Sequence, residues 1–136
     1  MSILSVRGVS RTFSSEGRAP TVALQATDLD VAENDFITIL GPSGCGKSTL
    51  LRIVAGLDQQ TSGEVLLDGR RITGPGADRG MVFQSYTLFP WLTVIDNVCF
   101  GLRERNLPRA EQLEVANAFI QKVGLRGFEN HFPKQL

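Results

Sequence analysis

Gly41-Pro42-Ser43-Gly44-Cys45-Gly46-Lys47-Ser48 is the stretch that decides the fold, because it matches the pattern G-x-x-x-x-G-K-[ST]. The apolar, β-branched run before it, residues 36–40, predicts a strand, and residues 48–55 after it predict a helix. A strand, a glycine-rich loop and a helix in this order predict a phosphate-binding loop, whose backbone N–H groups and helix N-terminus face phosphate oxygens. A glycine-rich turn can match the pattern by chance, but the flanking strand and helix argue against that interpretation.

The loop and the residue after it supply the candidate nucleotide-binding set, which is Gly41, Pro42, Ser43, Gly44, Cys45, Gly46, Lys47, Ser48 and Thr49. In this pattern Lys47 reaches the β and γ phosphates of a nucleotide, and the hydroxyl of Ser48 binds Mg²⁺. Cys45 lies near Lys47 and the predicted helix N-terminus, which favours a reactive thiolate. Alternatively, Cys45 is a small residue that fills a variable position of the loop.

Composition limits the function classes that the chain can belong to. The 136 residues fit one domain. Fourteen basic and fourteen acidic residues give no net charge, so there is no bulk attraction to nucleic acid, and we expect no nucleic-acid partner. No apolar stretch approaches the roughly 18 residues that span a bilayer, and the first residues lack the pattern of a secretory signal. We therefore expect a cytoplasmic chain.

Hydrophobic patterning outside the loop predicts a small antiparallel sheet. Residues 4–13 and 22–31 show period-two alternation and are separated by a polar stretch, which predicts two antiparallel strands. Residues 64–67 predict a third strand, and Asp68-Gly69 predicts a tight turn into the residues that follow.

The second half of the chain predicts one more strand and two helices. Residues 80–84 predict a buried strand that ends in the polar Gln84, where a strand end would face a ligand. Thr93 is a candidate N-cap for a helix over residues 94–103, and Pro108 suits the start of the next helix. That helix carries an apolar stripe made of Leu113, Ala116, Ile120 and Val123.

Over its whole length the chain resembles the N-terminal half of the ATP-binding subunit of ABC transporters. Residues 41–48 match Walker A, Val82-Phe83-Gln84 matches the Q-loop, and Ser62-Gly63-Glu64 and Asp68-Gly69 lie between them at the matching spacing. Residues 89–98 (Phe-Pro-Trp-Leu-Thr-Val-Ile-Asp-Asn-Val) are similar to the subgroup that imports nitrate, sulfonates or taurine.

This resemblance implies an α/β fold of the P-loop nucleoside triphosphate hydrolase class. It implies one nucleotide-binding domain over residues 1–136, with an antiparallel β subdomain, a partial core sheet and the Q-loop in residues 1–92. Residues 93–136 would be the start of a helical subdomain. Residues 131–136 match the pattern that runs into the Ser-Gly-Gly signature motif, so we expect a truncated domain without the signature loop, Walker B aspartate, catalytic glutamate or switch histidine.

The resemblance also implies roles for two residues outside the loop. Phe13 occupies the position of the aromatic residue that stacks on adenine, although it could instead be a core residue. Gln84 would be a Mg²⁺ ligand that senses the γ-phosphate and, with Lys47, serves catalysis, although a polar residue at a strand end is often merely solvated. The expected cofactors are ATP and Mg²⁺.

The implied partners are a transmembrane permease subunit and a second ATP-binding subunit. The permease would contact the apolar loop Leu88–Leu92 and the Q-loop region, provided that Trp91 is exposed and not buried in a helical core. The parent protein would be a homodimer on the inner face of the cell membrane that couples ATP hydrolysis to uptake of a small anion.

The truncated chain itself leads to different expectations. We expect it to bind nucleotide with negligible hydrolysis and to form a non-native or strand-exchanged oligomer. Two other function classes stay open, a small-molecule kinase with the same loop and a non-catalytic interaction module.

Overall fold

The computed structural model describes residues 2–136 and consists of two compact units. The first unit extends to Val82 and the second begins at Phe83. The sequence predicted a division after Leu92, so the observed division comes earlier in the chain.

The first unit is built on a four-stranded antiparallel sheet. Its strands are β1 (Ser2–Phe13), β2 (Thr21–Ala32), β3 (Ser62–Leu67) and β4 (Arg70–Arg71), in the spatial order β2-β1-β3-β4. Asp68 and Gly69 have φ values of 49° and 73°, and a two-residue hairpin turn of this type needs positive φ at both positions. The predicted antiparallel strands and the predicted tight turn are therefore confirmed.

Helix α1 (Lys47–Val54) packs against this sheet and confirms the helix predicted after the glycine-rich loop. One cluster of buried apolar side chains joins the helix to three strands and consists of Val6, Val9, Leu24, Leu50, Ile53 and Val65. Because Leu50 and Ile53 lie three residues apart, they face the sheet from one side of the helix. This core fixes the start of α1 against β2.

Two predicted strands are not formed, and these predictions are wrong. Residues 36–40 and residues 80–84 are irregular, and the Phe36 and Leu40 side chains are exposed at 93% and 86%. A strand is stable only when neighbouring strands pair with its backbone N–H and C=O groups. Within residues 2–136 no strand pairs with either segment, so their apolar composition alone does not make them strands.

The second unit is a pair of helices, α2 (Val94–Glu104) and α3 (Arg109–Lys122), followed by a short 3₁₀ turn at Pro133–Gln135. The side chain of Thr93 accepts a hydrogen bond from the Asp96 N–H at 3.3 Å, which confirms the predicted N-cap. Of the predicted stripe, Ala116 and Ile120 are buried, whereas Val123 is 67% exposed because it follows the end of α3.

An ionic cluster centred on Asp96 ties α2 to α3. The Asp96 Oδ1 atom lies 2.7 Å from Arg103 Nη2 and 3.2 Å from Arg109 Nη2. The Asp96 Oδ2 atom accepts a hydrogen bond from the Thr93 hydroxyl at 3.0 Å. The Thr93 hydroxyl and the two guanidinium groups lower the pKa of the Asp96 carboxyl below its ordinary value.

None of the helices within residues 2–136 has the length and apolar character needed to cross a bilayer.

Candidate phosphate-binding site

The glycine-rich loop that precedes α1 depends on glycine at Gly46 for two reasons. Its φ of 97° lies in the left-handed region that side chains other than glycine rarely adopt. In addition, a Cβ atom at this position would lie 2.5 Å from the carbonyl oxygen of Ala23 and 3.0 Å from Leu24 Cδ1. Gly44 has a φ of 81° but open space around it. Gly46 is therefore the point at which the loop contacts β2.

A β-bulge in β2 brings the Ala23 carbonyl to this contact. Arg11 of β1 pairs with Leu24, but the next residue, Thr12, pairs with Val22, so Ala23 is an additional residue in β2. A bulge of this kind bends the strand and changes the direction of its backbone groups. The end of the β1–β2 hairpin therefore lies against the residue that precedes α1.

The Lys47 ammonium closes the loop on itself. Its Nζ donates hydrogen bonds to the carbonyl oxygens of Gly41 and Pro42, each at 2.7 Å, and lies 3.5 Å from Cys45 Sγ. A lysine ammonium has three donors and no acceptor, so phosphate oxygens can replace these carbonyls as its partners. Cys45 is an exposed free thiol, and both interpretations of it stay open.

The first turn of α1 offers N–H groups that have no intrahelical acceptor. Gly46 has no side chain to cap the helix, the first turn carries no acidic residue, and the first bond of the helix runs from the Leu50 N–H to the Gly46 carbonyl at 2.9 Å. The N–H groups of Lys47, Ser48 and Thr49 precede that bond. A helix N-terminus beside a lysine ammonium attracts negative charge, and a chain of phosphates fits both features.

Phe13 lies at the end of β1, opposite Thr21, and is 44% exposed. The Arg11 Cζ atom lies 4.5 Å from the centroid of its ring. This exposure argues against the alternative that Phe13 is a core residue. Its stacking on adenine stays a prediction.

The two candidate Mg²⁺ ligands fall in different units. Ser48 is exposed in the first turn of α1, and its hydroxyl is a hard oxygen that suits Mg²⁺, which takes few protein ligands beside phosphates and waters. Gln84 is also exposed, in the second unit, and its contact with Mg²⁺ stays a prediction. Within residues 2–136 no group of three or more His, Cys, Asp or Glu residues is placed to hold a metal ion.

The second unit carries an exposed apolar surface, which we call the aromatic surface and define as Leu88, Phe89, Trp91 and Phe100. Leu88, Trp91 and Phe100 are 54%, 70% and 41% exposed. The Phe89 ring centroid lies 5.6 Å from that of Trp91 and 4.5 Å from that of Phe100. The exposure of Trp91 decides against its burial in a helical core.

Asn97 holds the backbone beneath this surface, and the sequence analysis missed it. Its Oδ1 accepts a hydrogen bond from the Phe89 N–H at 2.8 Å, and its Nδ2 donates to the carbonyls of Phe89, Leu92 and Thr93 at 3.1, 3.0 and 3.0 Å. An asparagine inside a helix is a weak helix former, and that was the one signal that could have marked it.

The loop, the uncapped helix and the sheet that supports them define a P-loop nucleotide-binding domain of the α/β class. A family model described as "ABC transporter" matches residues 24–136. The chain belongs to this family. Membership decides against the small-molecule kinase alternative, in which the same loop would serve a different fold.

Similar proteins support this assignment. The chain is 54% identical to an uncharacterised ABC transporter ATP-binding protein of Methanocaldococcus jannaschii, over 98% of this chain and 49% of the relative. It is 45% identical to the nitrate import ATP-binding protein NrtD of Synechocystis sp., over 98% of this chain and 50% of the relative. The chain thus spans about half the length of the curated relatives it matches.

A solved structure confirms the fold class. The ATP-binding cassette MJ0796, in a dimeric post-hydrolysis state bound to ADP and Pi, aligns with a TM-score of 0.84 at 32% identity. The alignment covers 98% of this chain and 62% of that one. Over the shared length the fold is therefore that of an ABC-type ATPase cassette.

Proposed function

We propose that this chain binds ATP through residues 41–49 and belongs to the ATP-binding subunit of an ABC importer. The observation that carries the proposal is the meeting of the Lys47 ammonium with the uncapped N-terminus of α1 in a glycine-rich loop. Both features supply positive charge and N–H donors, and neither is neutralised by an acidic residue in the first turn. Family membership supports ATP as the ligand.

Lys47 exchanges partners when the nucleotide binds. Its bonds to the Gly41 and Pro42 carbonyls give way to bonds with the β and γ phosphates, whose charge makes the new bonds stronger. The N–H groups of Ser48 and Thr49 bind other phosphate oxygens. Mg²⁺, held by the Ser48 hydroxyl, would offset the phosphate charge. In the whole protein Lys47 and Gln84 then serve ATP hydrolysis.

The proposed cargo is a small anion such as nitrate, a sulfonate or taurine. The likeness to a nitrate import protein supports this class, as do residues 89–98, which include Phe89 and Trp91 of the aromatic surface. We propose that this surface and the Q-loop region bind a transmembrane permease, because exposed aromatic side chains mark binding surfaces. A second ATP-binding subunit would complete a dimer at the inner face of the membrane, and the dimeric state of MJ0796 supports this.

Titration with ATP and Mg²⁺ in a calorimeter tests the phosphate site. Removing a charged donor costs about 1.5–3 kcal/mol, so Lys47→Ala should weaken ATP binding about 10- to 150-fold. Lys134→Ala, which removes an exposed lysine, is the matched control and should bind like the wild type. Equal ATP affinity in Lys47→Ala and the wild type would contradict the proposal. Chelation of Mg²⁺ should weaken binding in the wild type.

A further inference from the structure

We propose that Arg11 and Asp58 form a positioning pair that holds the Phe13 ring in place for the nucleobase. The inference rests on the proposed function, which gives ATP as the ligand, and on the sequence-based prediction that Phe13 stacks on adenine. Arg11 and Asp58 do not contact the ligand themselves. They act through the ring.

The ion pair between Arg11 and Asp58 is mostly withdrawn from water. Arg11 Nη2 lies 3.1 Å from Asp58 Oδ1, and the two side chains are 23% and 20% exposed. A second ion pair on β1, Arg7 with Asp30, is bidentate, with two N–O distances of 2.8 Å, but its side chains are 48% and 47% exposed. Because water and salt screen exposed pairs, the attraction between Arg11 and Asp58 is screened less than the attraction between Arg7 and Asp30.

The Arg11 guanidinium backs the ring of Phe13. Its Cζ atom lies 4.5 Å from the ring centroid, within the range of a cation–π interaction. The two residues are two positions apart in β1, so their side chains leave the same face of the sheet. Since Phe13 is 44% exposed, the ring keeps an accessible side on which a planar base can stack. A ring that is already held loses less entropy when the base binds.

The hydrogen bonding of Arg11 fits a positioning role. Its Nε is buried, and within residues 2–136 no hydrogen-bond acceptor is placed for it. A buried donor without a partner costs stability, and Nε therefore adds no bond that orients the side chain. The guanidinium is thus oriented by the carboxylate and by the aromatic ring.

The pair connects the Phe13 ring to both ends of helix α1. Asp58 follows the C-terminal end of α1, and Leu24, the partner of Arg11 across the sheet, lies beside Gly46 at its N-terminal end. The ring is therefore held at a fixed place relative to the helix whose N-terminus takes the phosphates. A ligand that carries both a base and phosphates gains from this arrangement, whereas a bare phosphate chain does not.

Binding of ATP and of inorganic tripolyphosphate, measured by calorimetry on the same variants, tests the inference. Phe13→Ala should weaken ATP binding about 5- to 150-fold, the range expected for loss of one stacked base. Arg11→Met and Asp58→Asn should each weaken it about 3- to 10-fold. Tripolyphosphate affinity should stay at the wild-type value in all three. Arg7→Met is the matched control and should change neither ligand.

Two further variants separate positioning from folding. Arg11→Lys keeps the charge near Asp58 but lacks the planar face, so it should recover part of the lost ATP affinity. In the Phe13→Ala background, Arg11→Met should have almost no further effect, because the ring it holds is gone.

Several outcomes overturn the inference. If Arg11→Met leaves ATP affinity unchanged, or lowers the affinities for ATP and tripolyphosphate equally, the pair does not position the ring. If the wild type binds ATP no better than tripolyphosphate, the base makes no contact at Phe13. If the wild type binds neither ligand, the proposed function itself fails, which is a distinct result.

Discussion

Two exposed loops of this chain are each held by one side chain, and the two side chains differ in what else they do. Residues 41–46 are held by the Lys47 ammonium, which is also the group expected to bind phosphate. Residues 89–93 are held by the neutral amide of Asn97, which has no such second task. On the proposed function, the first loop would exchange these contacts for a ligand, whereas the second is held by hydrogen bonds within the chain.

Gly46→Ala should have the largest effect, because it breaks the contact that supports the first loop. The new methyl group would meet the Ala23 carbonyl and would also require a positive φ, at a combined cost of about 2–4 kcal/mol in the free energy of unfolding. Urea unfolding measures this loss. Gly17→Ala is the control, since its φ is 75° but its surroundings are open, so it should cost only about 1 kcal/mol. Equal losses in the two variants would mean that the Ala23 contact contributes nothing.

Asn97→Asp should release the second loop while keeping the size of the side chain. The carboxylate cannot donate to the carbonyls that Asn97 Nδ2 now contacts, and we expect a loss of about 1–3 kcal/mol. Trp91 is the only tryptophan in the sequence, so its fluorescence reports on the loop directly. Acrylamide quenching should rise and anisotropy should fall. Asn117→Asp, at an exposed position of α3, should change neither signal, and an unchanged Trp91 signal in Asn97→Asp would show that other contacts hold the loop.

Protonation of Asp96 by acid should produce the smallest of these losses in the free energy of unfolding. The pKa of Asp96 is lowered in the folded chain, first by the Thr93 hydroxyl and then by Arg109 and Arg103. The ionised carboxylate therefore stabilises the folded chain at pH values above 3.8, the ordinary pKa of an aspartate. This contribution is lost as the pH falls through the lower pKa of the folded state. Unfolding of the wild type and of Asp96→Asn at several pH values measures this contribution, and the stability difference between them should shrink below pH 3.8. A difference that stays constant with pH would contradict it.

Local patterns predicted most of the regular structure correctly. The alternation in β1 and β2, the Asp68-Gly69 turn and the Thr93 cap are properties of short segments, and each of them is confirmed. The backbone hydrogen bonds of a helix join residues that are close in sequence, so a local pattern was enough to predict α1. Residues 36–40 and 80–84 have strand-like composition, but a strand depends on distant segments for its partners.

The parts of the candidate site that the sequence did not reveal are long-range contacts. The loop, Lys47 and Ser48 were predicted because they form one contiguous motif. The pairing of Arg11 with Asp58 depends on how β1 is placed against the chain that leaves α1, and no short pattern encodes that placement. The same holds for the approach of Ala23 to Gly46, since a one-residue bulge cannot be located from alternation alone.

The two carbonyl bonds of Lys47 have a consequence for which anions the loop accepts. Two of the three N–H donors of Lys47 are used in these bonds of 2.7 Å, so a ligand that takes all three donors must replace both carbonyls. A single phosphate regains few contacts in return, whereas a triphosphate reaches the ammonium and the helix N-terminus together. On the proposed function, the loop would therefore bind a triphosphate in preference to a single phosphate.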